Sequence, residues 1–316
     1  MRKLPLLALL VLGSALVTSA ASLDVAVIVK AKTSTYWDVV HAGVDKARQD
    51  LAAEGTTVNV LWDGPSREDE VALQQQEVRA AIGKHVAAIV LAPANGQALV
   101  APVEEAKAAG IPVVIIDSLL GSDAQVATVA TNNYKAGLLA GRQLADSLGG
   151  KGNVALFRYL KGVGSSQPRE SGFLDAVKKY PGIKVISADV VSGATTAEAV
   201  VNAKGLLEKL GAQLNGVFAP NLYSTEGMLT ALRDTGFTGK IAFVGFDASA
   251  ECVAALRKGE VTALTVQQPF KMGYVGVKTA VDAIAHKSVD HEIDTDVKIV
   301  TRDNLDTPEI QKLLNP

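Results

Sequence analysis

Short apolar runs alternate with longer helical segments along most of the chain. The runs lie, in chain order, at about 24–29, 57–62, 87–92, 112–117, 126–130, 153–158, 183–190, 215–219, 240–246 and 261–266. The segments between them are rich in Ala, Leu, Glu, Lys and Gln and include 37–53, 67–83, 97–109, 166–180, 197–210 and 224–235. Continuously apolar strands that alternate with helices are typical of a parallel sheet covered by helices on both faces. The pattern therefore predicts an α/β fold.

The strands of the first half recur in the second half in the same order. Three strand segments and their counterparts begin at Asp24, Ala87 and Pro112 and at Asn153, Asn215 and Lys240. The offsets are 129, 128 and 128 residues, and each third strand ends in an aspartate, Asp117 or Asp247. An internal repeat of this length predicts two similar three-layer lobes, each with a mostly parallel sheet, rather than one large domain.

The chain is expected to cross between the two lobes several times. We predict a first lobe of residues 22–131 and 268–292. The second lobe would hold residues 132–267 and 293–316. The crossings, near 131–133, 267–269 and 291–297, would form a hinge that bends without letting the lobes twist freely. Ligands of open parallel sheets bind at the carboxyl ends of the strands, so two facing lobes predict one shared cleft.

The first 21 residues have a different pattern from the rest. Arg2 and Lys3 precede an apolar run at 4–17, and small residues follow at 18–21. This order is typical of a secretory signal peptide, removed after about Ala20 or Ala21. The apolar run is shorter than the roughly 20 residues that a membrane-spanning helix needs. We therefore expect export.

Cysteine usage refines the expected location. Cys252 is the only cysteine, so the mature chain is expected to hold no internal disulfide. No cysteine lies at the predicted cleavage site, which argues against a lipid anchor. We expect a freely diffusing protein, located in the periplasm if the host has an outer membrane.

Charge and motifs argue against nucleic-acid binding and catalysis. The formal net charge of -2 provides no basic field for nucleic acid. The segment GVGSSQ at 162–167 lacks the third glycine of a dinucleotide fingerprint, and the four histidines have no zinc-type spacing. There is neither a GxSxG elbow nor a Walker loop. We expect a monomer that is not an enzyme and has no cofactor and no metal.

A set of motifs in fixed order resembles a known family. The motifs are YWDVVHAG (36–43), IPVVIIDS (111–118), TNNYKAG (131–137), PRESGF (168–173), FAPN (218–221), VGFDAS (244–249) and VQQPFKMGYVGVK (266–278). Together they resemble the periplasmic ligand-binding proteins of sugar ABC transporters, of the ribose-binding type. The resemblance covers essentially the whole chain after the predicted signal peptide.

The resemblance implies a set of ligand-binding positions drawn from both lobes. These are Lys30, Ser34, Tyr36, Trp37, Asp117, Ser118, Arg169, Asn221, Phe246, Asp247 and Gln267. Their chemistry suits a sugar or polyol, because carboxylates accept hydroxyl protons, a guanidinium donates, amides do both and aromatic rings cover C–H faces. The implied function is capture of such a ligand by lobe closure and its delivery to a permease.

The sequence leaves several alternatives open. The two aspartates could cap helices, the aromatic pair could be core residues, and Arg169 could only bridge the aspartates. Ribose-binding members carry Arg at the position of Ser118 and Asn at the position of Ala92. They carry an aromatic residue at the position of Ala194 and an acidic residue at that of Asn132. These departures speak against ribose itself. A role in presenting a sugar to a chemoreceptor or sensor kinase is the alternative function.

Overall fold

Two six-stranded sheets form the framework of residues 22–316, the part of the chain that the computed structural model describes. The predicted signal peptide lies outside the described residues. The strands are β1 (Leu23–Ile28), β2 (Val58–Asp63), β3 (Ala88–Leu91), β4 (Val113–Ile116), β5 (Ala127–Ala130), β6 (Lys151–Leu156), β7 (Gly182–Ser187), β8 (Gly216–Phe218), β9 (Ala242–Phe246), β10 (Ala263–Gln267), β11 (Glu292–Asp294) and β12 (Val297–Val300).

The helices connect these strands. They are α1 (Thr35–Ala53), α2 (Val71–Gly83), α3 (Val100–Ala108), α4 (Asn133–Ser147), α5 (Ser166–Val177), α6 (Thr196–Leu210), α7 (Leu222–Asp234), α8 (Ala250–Lys258), α9 (Pro269–Ile284) and α10 (Pro308–Leu314). None of the helices within 22–316 is both long enough and apolar enough to cross a membrane.

The two sheets share one strand order. The first runs β11-β5-β4-β3-β1-β2 and is parallel throughout, and the second runs β12-β10-β9-β8-β6-β7. In the second sheet only the pairing of β12 with β10 is antiparallel. The predicted α/β fold with two similar, mostly parallel sheets is confirmed.

Each sheet has an apolar cluster on both of its faces because successive strand residues point in opposite directions. Val25 and Val27 of β1 join the cluster under α1 and α9, whereas Ala26 and Ile28 join the cluster under α2 and α3. The second sheet is covered in the same way by α4 and α5 on one face and by α6, α7 and α8 on the other. Continuous apolar strands are the consequence of this double burial.

Three short connections join the two sheets. They lie between β5 and α4, between β10 and α9, and between β11 and β12. The connections are bonded to one another, since Gln268 Nε2 donates to the Thr295 carbonyl over 2.6 Å and Thr131 Oγ1 lies 3.5 Å from Thr295 Oγ1. The assignment of residues to two lobes stays a prediction, and β11 extends past the predicted boundary at 292.

Candidate functional site

A buried gap lies where the carboxyl ends of the two sheets face each other. Its free space is about 340 Å³ with the opening to solvent included. The side chains around it come from both halves of the chain: Lys30, Ser34, Tyr36, Trp37, Glu68, Asp117, Tyr159, Val163, Ser165, Ser166, Arg169, Asn221, Leu222, Tyr223, Asp247 and Gln267.

The two strand-end aspartates occupy equivalent positions. Asp117 follows β4 with φ of 64°, and Asp247 follows β9 with φ of 68°. Aspartate tolerates this left-handed backbone better than most residues, but it still costs on the order of 1 kcal/mol. The same strained turn in both halves aims a carboxylate into the gap from each sheet. Neither aspartate is the N-cap residue of a helix that follows it, since Ser249 is the N-cap of α8 and no helix lies between Asp117 and β5.

Asp117 is held by three donors. Lys30 Nζ donates to Oδ2 over 2.5 Å, Tyr36 Oη to Oδ1 over 2.8 Å, and Ser118 Oγ to Oδ2 over 3.1 Å. Burial raises the pKa of Asp117, but the charges of Lys30 and Arg169 outweigh burial and hold that pKa below its ordinary value. Asp117 is therefore ionised at neutral pH and acts only as an acceptor.

The burial of the Asp247 carboxylate is offset less completely than that of Asp117. Gln267 Nε2 donates to its Oδ1 over 2.7 Å. Burial raises the pKa of Asp247 to about 6, and the charge of Asp117 adds to this while Arg169 opposes it. The carboxylate is mostly ionised at pH 7 and takes up a proton in mild acid.

Arg169 is a buried cation with a fixed orientation. Its Nε, Nη1 and Nη2 donate to Asn133 Oδ1 over 2.7 Å, to the Pro220 carbonyl over 2.9 Å and to Gln267 Oε1 over 2.9 Å. Its guanidinium carbon lies 3.7 Å from the centre of the Phe246 ring. These bonds use three of the five guanidinium donors and leave two for a ligand.

Glu68 adds a third carboxylate to the gap. Trp37 Nε1 donates to its Oε1 over 3.3 Å and Tyr159 Oη to its Oε2 over 3.1 Å. Burial raises the pKa of Glu68 above its ordinary value, against the opposing charge of Lys30. The Trp37 ring also meets Tyr36 edge-on, with ring centres 5.0 Å apart.

The structure brings nine of the eleven predicted binding residues to the gap. The two exceptions are buried at its edge, where Ser118 Oγ bonds Asp117 and Ser165, and Phe246 lies under the Arg169 guanidinium. Ser34 and Asn221 line the gap and also cap α1 and α7 with their side chains. The role of all eleven residues in ligand binding stays a prediction.

Seven lining residues were missed by sequence reasoning: Glu68, Tyr159, Val163, Ser165, Ser166, Leu222 and Tyr223. The internal repeat could have pointed to Tyr159, because this residue lies 129 residues after Lys30, which is the offset of the repeat. Ser165 and Ser166 belong to the GVGSSQ segment, which sequence reasoning interpreted only as a turn. Glu68 lies in an acidic loop whose pattern does not distinguish it from its neighbours.

The two halves touch directly across the gap. The contacts are Ser118 Oγ to Ser165 Oγ at 2.9 Å, Lys30 Nζ to Ser165 Oγ at 3.4 Å, Gly96 N to the Gly162 carbonyl at 3.1 Å, and Arg67 Nη2 to Glu198 Oε1 at 2.9 Å. The structure is therefore a closed arrangement. Among the residues described, no group of three or more His, Cys, Asp or Glu could hold a metal ion.

Comparisons with known proteins agree with this geometry. The family model described as periplasmic binding protein domain matches residues 25–288. The xylitol-binding protein of Mycolicibacterium smegmatis is 28% identical over 261 residues, which cover 83% of this chain and 74% of that protein. The ribose import binding protein of Bacillus subtilis is 29% identical over 232 residues, which cover 72% and 73%.

A solved structure extends the similarity to nearly the whole chain. A carbohydrate transporter solute binding protein from Agrobacterium radiobacter, in complex with D-arabinose, has a TM-score of 0.88 at 33% identity. The match covers 94% of this chain and 100% of that one. Because the family model spans most of the chain and the fold agrees, this chain belongs to the periplasmic binding protein family, in the ribose-binding-protein type that its motifs predicted.

Proposed function

We propose that this protein captures a neutral sugar or polyol between its two sheets and delivers it to the permease of an ABC transporter. The observation that carries the proposal is the convergence of Asp117, Asp247 and Arg169 on one buried gap from opposite sides of the molecule. Carboxylates and a guanidinium that are already oriented match the hydroxyl groups of such a ligand.

The balance of charges favours a neutral ligand. The gap holds the cations Lys30 and Arg169 against the carboxylates of Glu68, Asp117 and Asp247. Lys30 is already paired with Asp117, so an anionic sugar would have only Arg169 as a cationic partner and would meet the carboxylates of Glu68 and Asp247 as well. Bringing like charges together in a buried site disfavours binding. A hydroxyl, by contrast, can donate to each of the remaining acceptor positions.

The aromatic side chains supply the apolar part of the recognition. Tyr36 and Trp37 line the gap on the side of the first sheet, and Tyr159 and Tyr223 line it on the side of the second. Flat rings match the C–H faces of a sugar, while the polar groups of Tyr36, Trp37 and Tyr159 hold the carboxylates of Asp117 and Glu68 in place. The names of similar proteins, which refer to xylitol, ribose and D-arabinose, support the same class of ligand.

Closure would couple binding to delivery. A ligand favours the closed state only through contacts that the open state lacks, and a ligand bridging Asp117 with Asp247 has such contacts. The three connections between the sheets supply the bend. The closed shape would then be recognised by the permease.

Calorimetric titration with neutral pentoses, hexoses, pentitols and hexitols and with the matching aldonates and uronates tests this function. We expect a neutral compound to bind with micromolar or better affinity and its acidic counterpart to bind at least about 10-fold more weakly, since one buried like-charge contact costs more than 1.4 kcal/mol. Asp117→Asn should weaken binding, and Asp123→Asn, a change of the same type at an exposed loop position, should not. Preference for the acidic compounds, or no binding at millimolar concentration, would contradict the proposal.

Export and delivery are tested in cells. The pattern of residues 1–21 supports removal of a signal peptide, so the mature protein should begin at residue 21 or 22 in N-terminal sequencing. Cells without the gene should lose uptake of the ligand at low concentration, and the gene encoding Asp117→Asn should fail to restore it. Unchanged uptake in the deletion strain would argue for the alternative role in sensing.

A further inference from the structure

Glu68 is a buried acidic side chain that no motif singles out. It lies in the loop between β2 and α2, is 7% exposed and lines the gap. Its acidic neighbours bond within the loop instead, as Asp69 pairs with Arg67 and Glu70 accepts from the backbone amides of Ser66 and Arg67. A carboxylate is rarely buried unless it is paired or hydrogen-bonded, so the inward position of Glu68 calls for partners.

The partners come from both halves of the molecule. Trp37 lies in α1 beside the first sheet, and Tyr159 follows β6 of the second sheet. Each donates to a different oxygen of the Glu68 carboxylate. The carboxylate is therefore fixed in orientation only when the two halves are closed.

Two donors leave acceptor capacity on this group. An ionised carboxylate offers about four acceptor positions, and Trp37 and Tyr159 occupy two of them. No other donor to Glu68 occurs among the described side chains and backbone amides of 22–316. Each oxygen of Glu68 therefore has one protein partner, and its second position can accept a donor from a molecule in the gap.

We propose that Glu68 is a specificity-determining ligand contact, whose carboxylate accepts a hydroxyl proton of the bound sugar or polyol in the closed state. This assignment rests on the proposed function and adds to it a residue that the family motifs do not contain. Three hydroxyls of the ligand then donate to three separate carboxylates, those of Asp117, Asp247 and Glu68. A ligand that lacks the hydroxyl facing Glu68 binds more weakly, because a buried carboxylate loses its partner.

A cycle of ligand and protein variants tests the assignment. The probes are the neutral sugars and polyols that bind the wild-type protein, with D-ribose, D-arabinose and xylitol titrated first, together with their monodeoxy derivatives. In the wild-type protein we expect one monodeoxy derivative to bind about 10- to 100-fold more weakly through loss of the bond to Glu68. In Glu68→Ala the same pair of probes should differ by less than about 3-fold, because the contact is already absent.

Three further variants distinguish a ligand contact from a residue that only supports the site. Tyr159→Phe removes one donor to Glu68 and should weaken all probes by a common factor while preserving the preference among them. Glu104→Gln, on the exposed face of α3, is the control and should match the wild-type protein. Glu68→Gln keeps the shape of the side chain and serves for the cycle if the alanine variant does not fold.

The outcomes distinguish this assignment from the proposed function. If every probe weakens equally in Glu68→Ala and Glu68→Gln, Glu68 is only a structural bridge and the assignment is overturned while the function stands. If the wild-type protein binds no neutral sugar or polyol, both are overturned together.

Discussion

Asp247 illustrates how a binding group can oppose folding. The left-handed turn after β9 places its carboxylate in the gap, and burial raises its pKa from 3.8 to about 6. Because the pKa is higher in the folded state, the ionised form is the one that folding disfavours. The resulting loss of folding stability is absent below about pH 3.8, grows as the pH rises toward 6 and is constant above that.

Asp247→Asn should therefore stabilise the ligand-free protein at high pH. The asparagine keeps an oxygen for Gln267 but carries no charge, so we expect a gain in the free energy of unfolding of up to ~3 kcal/mol at pH 8. The gain should shrink as the pH falls below 6 and nearly vanish at pH 4. Urea denaturation of both proteins at pH 4, 6 and 8 measures it, and equal stabilities at pH 8 would contradict the raised pKa.

Arg169 differs from Asp247, because the stability of the fold and the binding of ligand depend on the same contacts of its side chain. Lysine in its place carries the charge but cannot reach Asn133, Pro220 and Gln267 together, and it loses the contact with the Phe246 ring. We expect Arg169→Lys to lower the free energy of unfolding by about 2 kcal/mol and to weaken ligand binding. Arg142→Lys, an exposed position of α4, is the control for denaturation and calorimetry. A variant as stable as the wild-type protein would show that these three acceptors find other partners.

The strand-end positions allowed the two aspartates to be predicted and the family resemblance implied Arg169, but neither pointed to Glu68. The aspartates end apolar strands, and the strand-end position alone directs them toward a ligand. Nothing local separates Glu68 from Asp69 or Glu70, because its partners Trp37 and Tyr159 lie far away in the chain. Its burial is a consequence of the tertiary fold, which a single sequence does not encode in any short pattern.

At the scale of elements, each half of the molecule uses glycines to bring two helices into backbone contact. A Cβ on Gly43 of α1 would lie 2.0 Å from the Phe270 carbonyl oxygen, and one on Gly273 of α9 would lie 2.1 Å from that of Val40. In the other half, a Cβ on Gly137 of α4 would lie 2.0 Å from the carbonyl oxygen of Arg169. The alternation of strands and helices was predictable from periodicity, whereas these close contacts depend on helix packing that periodicity does not describe.

Gly137→Ala tests this contact and its link to the site. The added methyl group has no space beside the Arg169 carbonyl, so α5 must shift and carry Arg169 with it. We expect a loss of about 1–3 kcal/mol in the free energy of unfolding, as for other overpacked positions, and weaker ligand binding.

Gly205→Ala in α6 is the matched control. Its added methyl group would meet nothing within 4 Å, so the helix should gain about 0.5–1 kcal/mol. Denaturant titration of the two variants gives both values. A stabilising effect of Gly137→Ala would show that the helices separate without cost.

At the scale of the whole molecule, the closed state has contacts of two kinds. Two buried bonds join the halves, one from Tyr159 to Glu68 and one between Ser118 and Ser165. Arg67 and Glu198, by contrast, form an ion pair whose side chains are 39% and 41% exposed. Exposed ion pairs contribute little and are screened by salt. The pair joins the two halves only when they are closed, so its small contribution adds to ligand affinity rather than to the stability of either half.

Arg67→Ala should therefore weaken ligand binding slightly and only at low salt. An exposed ion pair contributes about 0.2–1 kcal/mol, which predicts a rise in Kd of up to about 5-fold at 20 mM salt and no difference from the wild-type protein at 1 M. Arg79→Ala removes an ion pair of similar exposure, with Glu105, between two helices of the same half, and should leave the affinity unchanged at both salt concentrations. Calorimetry on the three proteins compares these values. An equal effect of both variants would mean that surface charge in general, rather than the contact between Arg67 and Glu198, assists closure.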